Sequence, residues 1–214
     1  NFPQWDLNIE VTGFHKYLWD IVGFSPNIVI EDDGSIRPEN FWNNLTGQIG
    51  GVEVLVRKEL TNNFFGWVSY TFNRSFYQFP DRDTLTPTDF DQPHILTIIG
   101  VYKLPFGWQI GGRFRLVSGF PDDPIETGIL DSNGNYIDIV GDDNSDRLPA
   151  FHQLDVRLDK TFTFKRWMLN LYVDVQNVYN RRNTETFNYS YNFQQRTPQP
   201  GLPIIPSLGL RGSF

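Results

Sequence analysis

The stretch between Gly119 and Ala150 is rich in side chains that could bind a cation. It contains eight carboxylates, and the segments 131–138 and 142–146 place oxygen donors close together. Carboxylate and amide oxygens are ligands that Ca²⁺ prefers. The candidate calcium ligands are Asp131, Asn133, Asp138, Asp142 and Asp143. The full spacing of an EF-hand is absent, and Asn133-Gly134 is equally typical of a hairpin turn, so a hairpin or solvated loop is the favoured interpretation.

The histidines are the other side chains suited to acid–base or metal chemistry. His15, His94 and His152 fall at the ends of predicted strands, with no i, i+4 pairing and no nucleophile motif beside them. A membrane-embedded hydrolase would need a nucleophile and a base in contact. We therefore predict a protein that is not an enzyme and that uses no cofactor, with the hydrolase kept as an alternative.

Alternation of apolar and polar residues dominates the chain and predicts strands rather than helices. The eight predicted strands are Trp5–Tyr17, Gly47–Leu60, Phe64–Arg74, His94–Leu104, Trp108–Ser118, Phe151–Phe162, Trp167–Tyr179 and Ser207–Phe214. Most are about ten residues or longer, which a tilted strand needs to cross a bilayer, whereas strands of soluble proteins are nearer five or six. The seventh predicts lipid-facing Leu169, Leu171, Val173 and Val175 and lumen-facing Asn170, Asp174 and Gln176.

The connections between these strands alternate in length. Short connections occupy 61–63, 105–107 and 163–166, and long ones occupy 18–46, 75–93, 119–150 and 180–206. Outer-membrane barrels have short periplasmic turns and long extracellular loops. The alternation of short and long connections predicts an antiparallel transmembrane β-barrel wall in the bacterial outer membrane. The long loops would be extracellular, and the terminal Phe214 would lie at the periplasmic rim.

The same alternation sorts the charged residues onto the predicted lumen face. The principal ones are Glu53, Arg57, Arg113, Arg115, Asp155, Arg157, Asp174 and Arg211. Further members are Asp6, Glu10, Lys103 and Asp159. The favoured interpretation is a ladder of salt bridges between neighbouring strands. The functional alternative is that some of these charges hold a plug and shift when it moves.

Composition excludes several classes of protein. A net charge of −7 argues against a nucleic-acid partner, which would need a basic face. The absence of cysteine excludes a disulfide framework and thiolate metal sites. The mean hydropathy of −0.38 suits a soluble β protein and a membrane barrel equally, because a barrel wall alternates lipid-facing and lumen-facing residues.

Six segments carry a resemblance to a known family. They are Gly66–Ser75, Phe90–His94 (Phe-Asp-Gln-Pro-His), Gly112–Pro121, Arg147–Arg157, Asp174–Asn180 (Asp-Val-Gln-Asn-Val-Tyr-Asn) and the Gly- and Pro-rich stretch Gly201–Phe214. Each is common in barrels when taken alone. In this order and spacing, they resemble the C-terminal part of the barrel of TonB-dependent receptors.

The resemblance implies a fold and a function. Residues 1–214 would supply eight C-terminal strands of a barrel domain of about 22 strands, with the plug domain absent from this chain. The whole receptor would take up a scarce ligand, of siderophore, cobalamin, glycan or peptide class. Its partners would be outer-membrane lipid, the remaining strands and plug, a TonB-type energy-transducing complex and the barrel-assembly machinery.

Two further alternatives stay open at this point. One is a self-contained barrel of eight strands with a structural or adhesive role, since a barrel of that size can be filled by its own side chains. The other is a receptor-like barrel that has lost transport and serves as an assembly partner. The resemblance favours an open arc, whose first and last strands pair with polypeptide outside this chain.

Overall fold

The computed structural model describes residues 2–25, 27–80 and 83–214. Two single-turn 3-10 helices, Pro3–Trp5 and Pro105–Gly107, accompany the strands. The strands are, in chain order, β1 (Leu7–Phe24), β2 (Ile28–Ile30), β3 (Ile36–Pro38), β4 (Phe41–Thr61), β5 (Phe64–Gln78), β6 (Leu85–Pro87), β7 (His94–Lys103), β8 (Trp108–Val117), β9 (Pro121–Asp122), β10 (Ile125–Leu130), β11 (Tyr136–Val140), β12 (Asp146–Arg147), β13 (Phe151–Thr163), β14 (Met168–Gln176), β15 (Thr184–Tyr189), β16 (Arg196–Pro200) and β17 (Ile205–Ser213). Within the described ranges, no helix is long and apolar enough to cross a membrane.

The long strands form one antiparallel sheet in the order β1-β4-β5-β7-β8-β13-β14-β17, with the short β6 beside β5. These eight strands correspond one by one to the predicted ones, so the all-β antiparallel prediction is confirmed. Each long strand pairs with the next long strand along the chain. This up-and-down order is the one that a barrel wall requires.

Several predicted strand boundaries were wrong. The first strand begins at Leu7 rather than Trp5, the seventh ends at Gln176 rather than Tyr179, and the first three continue further at the loop end than predicted. β1 and β4 remain paired as far as Phe24 and Phe41, and β5 extends to Gln78. Register shifts between Leu18 and Ile21 and again before Gly23 break the alternation there. Such bulges let pairing continue while the side-chain period is interrupted, which is why the pattern of the first predicted strand ended too early. The long connection 18–46 is thereby reduced to 25–40.

The register gives the sheet two distinct faces. Apolar side chains meet in rows across neighbouring strands, for example Val56 with Val68, Val68 with Ile98, and Ile98 with Phe114. We call this the apolar face; it also carries Leu171 and Val173, which lie opposite Leu210 and Leu208. The opposite, polar face carries the charged residues of the predicted lumen side, among them Arg113 opposite Asp155 and Arg157 opposite Asp174.

The sheet has almost no apolar core of its own. Among the described residues, Leu45 is the one large apolar side chain that is buried, with 4% of its surface exposed. Leu208 and Leu210 are 83% and 75% exposed on the apolar face. Globular domains bury such faces by stacking a second layer, and the described elements form a single layer. The apolar face therefore needs an apolar medium or partner outside these elements.

The described sheet has two open edges. β1 pairs with β4 alone and β17 pairs with β14 alone, so the path of pairing ends at both strands. A ring of eight strands would require pairing of β1 with β17, which the described strands do not show. This arrangement agrees with the expected arc and disfavours the self-contained small barrel.

The two ends of the sheet differ as the connections predict. At the turn end, short turns use left-handed backbone at Asn62, Asn63, Phe106 and Gly107. A side chain at Gly107 would also meet the carbonyl oxygen of Thr161 at 2.5 Å. At the loop end lie four longer segments, which we call loop A (25–40), loop B (79–93), loop C (118–150) and loop D (177–204). Loops A, C and D contain the hairpins β2–β3, β10–β11 and β15–β16.

Candidate functional site: the loop end of the sheet

A fully buried carboxylate lies at the loop end, just before β7. Asp91 has no exposed surface. It accepts a hydrogen bond of 2.7 Å from the backbone N–H of Ser75 and one of 3.2 Å from Arg74 Nε. The guanidinium of Arg147 donates to the same carboxylate and to the backbone carbonyl of Asp91. Since a buried charge is costly unless it is paired, these donors are what permits an aspartate here.

The Arg147 side chain joins loop C to loop B at this point. Besides binding Asp91, it donates to the carbonyl of Gly119 at 3.3 Å. The neighbouring Leu148 N–H donates to Phe120 O at 2.9 Å, so the two ends of loop C are held together. A side chain at Gly119 would meet the Leu148 carbonyl oxygen at 1.6 Å, which makes glycine necessary for this approach. We call Arg74, Ser75, Asp91 and Arg147 the aspartate clamp.

The residues after Asp91 connect the same region to the end of β8. Gln92 Nε2 donates to the carbonyl of Ser118 at 2.9 Å, and His94 N–H donates to Ser118 Oγ at 3.0 Å. His94 Nδ1 lies 2.8 Å from the hydroxyl of Tyr70. A similar pair joins His152 and Tyr179 at 2.8 Å. In these contacts each histidine joins neighbouring elements at the loop end of the sheet.

A second buried polar residue closes loop D. Asn177 is 2% exposed and has a left-handed backbone with φ of 53°. Its side-chain amide donates to the carbonyls of Arg181 and Leu202 at 2.9 and 3.2 Å, and its side-chain oxygen accepts from Arg181 N–H at 2.9 Å. Its own N–H donates to Asp155 Oδ1 at 3.0 Å. We call this the asparagine clamp, because it holds both ends of loop D on β13.

The charges of the polar face are partly organised as the predicted ladder. Arg113 binds Asp155 across strands with Nη2 to Oδ2 at 2.7 Å. Arg157 binds Asp159 at 2.9 Å and stacks over Tyr172, with its guanidinium carbon 3.9 Å from the ring centroid. The pair of Arg113 and Asp155 crosses from β8 to β13 as the predicted ladder requires, whereas Arg157 and Asp159 pair along one strand, β13.

The other predicted lumen-face charges have different surroundings. Arg57 pairs with Glu59 on the same strand at 3.0 Å, and it lines a shallow hollow with Glu10 and Glu53. Arg115 lies 5.4 Å from the Phe151 ring, and its Nε is buried without a hydrogen-bond partner in the described structure. Arg211 lies opposite Asn170 in register, and Asp174 lies opposite Ser207. Whether this face encloses a plug stays a prediction.

The candidate calcium ligands are dispersed along the β10–β11 hairpin and the segment after it. Asp131 Oδ1 accepts the backbone N–H groups of Asn133 and Asn135 at 2.8 Å each. These bonds, with that from Asn135 the largest cause, hold the pKa of Asp131 below its ordinary value. Asp138 lies in β11 opposite Gly128. Among the described residues, no cluster of three or more acidic or histidine side chains could hold a metal ion, so the geometry favours the hairpin interpretation.

Loops B, C and D also contact one another above the sheet. Asn144 of loop C donates from Nδ2 to Pro87 O at 2.9 Å and to Asp89 Oδ1 at 2.8 Å. Arg196 of loop D donates to Asp146 Oδ2 at 2.7 Å. Both contacts span at least 50 residues of sequence. Together with the clamps, they make the loop end a connected surface that could hold a ligand in a fixed geometry.

The clamp residues lie in segments that carry the family resemblance, but their roles do not follow from the sequence. Asp91 belongs to Phe90–His94, Arg147 begins Arg147–Arg157, and Asn177 belongs to Asp174–Asn180. One signal was available: each places a polar residue at the loop-side end of a strand, where backbone groups need partners. Their mutual contacts required the fold.

Comparison with known proteins gives a structural likeness. No family model and no curated protein sequence matches the chain. The fold is similar to the crystal structure, in its closed form, of the ferric-catecholate import receptor Fiu from E. coli K12, with a TM-score of 0.62 and 15% sequence identity. The likeness covers 97% of this chain and 25% of that one, so the chain spans about a quarter of the length of that receptor. At this identity the likeness shows the fold alone: an antiparallel sheet of the kind that forms part of a receptor barrel.

Proposed function

We propose that this chain forms part of the wall and outer loops of a bacterial outer-membrane receptor that takes up a scarce ligand. The observation that carries the proposal is the sheet itself. It is a single layer with one apolar and one polar face, short turns at one end, long interlocked loops at the other, and a likeness to part of an import receptor. A tilted barrel wall in lipid has these properties.

The open edges bear on how much of the receptor this chain supplies. An unpaired strand edge in hydrocarbon leaves backbone groups unsatisfied at several kcal/mol each. β1 and β17 would therefore pair with further strands of a wider barrel, of which residues 1–214 would be the C-terminal part. A plug inside that barrel and a TonB-type complex on its periplasmic side would complete the machinery that the sequence resemblance implies.

Within this machinery the two clamps would serve as supports for ligand capture. Each holds a long loop against the loop end of the sheet through buried hydrogen bonds, so that loop side chains keep a fixed position. Preorganisation of this kind reduces the ordering cost of binding. The ligand of Fiu is not carried over, because 15% identity leaves the loop residues free to differ.

Energised uptake through the whole receptor tests the proposal. Cells that carry the full-length protein are compared with a deletion strain for accumulation of labelled nutrients under limitation, with and without a protonophore. We expect accumulation of at least one ligand to require both the gene and the proton-motive force. Accumulation that is unaffected by the protonophore, or by loss of the gene, would contradict the receptor and would favour a structural or assembly role.

A further inference from the structure

A cleft opens where loop C covers the bulged ends of β1 and β4. Its volume is about 650 Å³, within the range of about 300–1,000 Å³ that small-molecule sites occupy. Its floor includes the buried Leu45 and its register partner Ile21. On β4 and β5 the polar face carries the odd-numbered residues, which include Leu45, Gly47 and Tyr77. The cleft therefore continues the polar face at the loop end.

Aromatic side chains supply much of the wall of this cleft. Phe24 and Phe41 lie with ring centroids 5.3 Å apart, and Trp42 and Tyr77 line the same space. These rings give the cleft an aromatic surface that suits a flat apolar group.

The remaining wall is acidic. Asp89, Asp123 and Asp143 line the cleft, and none of its described lining residues is a lysine, arginine or histidine. Asn144 fixes this wall, since its N–H donates to Asp123 Oδ1 at 2.6 Å and its side chain donates to Asp89. The surroundings have the same sign, because loops A, B and C together contain sixteen acidic residues and three arginines.

We propose that this cleft binds an organic cation: an amine or guanidinium group on a flat apolar body. The aromatic wall would contact the apolar body, and aromatic faces attract a cation within about 6 Å. The carboxylates of Asp89 and Asp123 would oppose the positive charge, and the acidic loops would concentrate cations near the entrance. This deepens the proposed function by naming the ligand class, and it rests on that function.

Two probes with the same ring and opposite charge test the class of ligand. Tryptamine is a cation at neutral pH and indole-3-acetate is an anion. Binding of each to the purified full-length protein is measured by isothermal titration at low and at physiological salt. We expect tryptamine to bind at least about tenfold more tightly than indole-3-acetate. Equal binding, or tighter binding of the anion, overturns the proposal.

A matched pair of double variants locates the site. Asp89→Asn with Asp123→Asn removes two charges from the cleft but keeps an oxygen acceptor for each Asn144 donor. Asp32→Asn with Asp33→Asn removes two exposed charges from loop A outside the cleft. We expect the first to weaken tryptamine binding about tenfold and the second to change it less than about twofold. Equal effects would show a general charge effect and would overturn the cleft.

The two proposals fail in different ways. Tryptamine binding that depends on the cleft, without protonophore-sensitive accumulation of any ligand, would retain the site and contradict uptake. Protonophore-sensitive accumulation of an anionic ligand, with no cleft-dependent tryptamine binding, would retain uptake and contradict the organic cation. The single variant Asp89→Asn, measured alongside, covers the case in which the double variant fails to fold, with an expected loss of about threefold.

Discussion

The guanidinium of Arg147 binds both the carboxylate and the backbone carbonyl of Asp91, although 56 residues separate them in sequence. Asp91 has no exposed surface, whereas the Arg147 side chain is 31% exposed. Substitutions of Arg147 and of Asp91 should therefore have different consequences. Loss of the arginine leaves a buried carboxylate with less compensation, and loss of the aspartate leaves a cation that water can reach.

The aspartate clamp predicts an order of stabilities. Arg147→Ala should lower the free energy of local unfolding of loop C by about 2–3 kcal/mol. This is somewhat below the usual cost of breaking a buried ion pair, because the arginine is partly exposed. Asp91→Asn should cost less, since the amide oxygen can still accept from Ser75 N–H. Protease cleavage within loop C on intact cells measures both. The control is Arg37→Ala, which breaks an exposed pair with Glu31. Cleavage no faster in Arg147→Ala than in this control would contradict the clamp.

The asparagine clamp predicts a difference between alanine and glycine. Asn177→Ala should destabilise the protein by about 3 kcal/mol, because it removes buried side-chain hydrogen bonds and must adopt positive φ. Asn177→Gly should recover about 1 kcal/mol, since glycine adopts that φ without strain. Urea unfolding in detergent or lipid, together with hydrogen exchange in loop D, measures both. An equal cost for the two variants would exclude the backbone contribution.

The two faces of the sheet predict unequal tolerance of charge at neighbouring positions. Val68 lies on the apolar face in the row of Val56 and Ile98, and Ser69 points to the polar face beside Glu10 and Glu53. If the apolar face contacts lipid, Val68→Arg near the bilayer midplane should lower the free energy of unfolding by about 2–4 kcal/mol. Ser69→Arg should lower it by less than about 1 kcal/mol. Unfolding from lipid vesicles compares them, and equal costs would refute the assignment of faces.

Leu171 illustrates how register refines that prediction. From the sequence it is a mid-strand residue, but in the sheet it lies opposite Lys160, which approaches the Trp108 ring. Tryptophan and lysine are typical of the membrane interface. Leu171→Arg should therefore cost less than Val68→Arg, about 1 kcal/mol. The same unfolding measurement checks the order of the two.

The alternation of connections predicts the orientation in the membrane. The chain has no cysteine, so single cysteines report on their own sites wherever the rest of the protein lacks exposed thiols. Ser132→Cys, in the turn of the β10–β11 hairpin, should react with a membrane-impermeant maleimide on intact cells. Lys165→Cys, in a short turn, should react only after the outer membrane is opened. The reverse labelling pattern would invert the topology.

The contact between loops C and D predicts a response to acid. The hydrogen bond from Arg196, the largest cause, holds the pKa of Asp146 below its ordinary value of 3.8. A depressed pKa in the folded state means that the contact contributes stability above about pH 3.8 and loses it as pH falls through the lowered value. Hydrogen exchange at loop D between pH 7 and 3 should show loosening only at the acid end. Arg196→Gln should abolish the change, and loosening already at pH 6 would contradict it.

The sequence by itself determined the strands, their faces and the alternation of turns and loops. Each of these depends on neighbouring residues: alternation along Met168–Gln176 fixes which side chains share a face, whatever the strand pairs with. The prediction from alternation was wrong at the end of β1, because a bulge changes the side-chain period without ending the pairing. Tertiary structure alone decided the clamps of Asp91 and Asn177 and the cleft under loop C. These depend on groups that lie far apart in sequence, and only the closure of the intervening chain brings a buried carboxylate to its arginine, or a carboxylate wall to a group of aromatic rings.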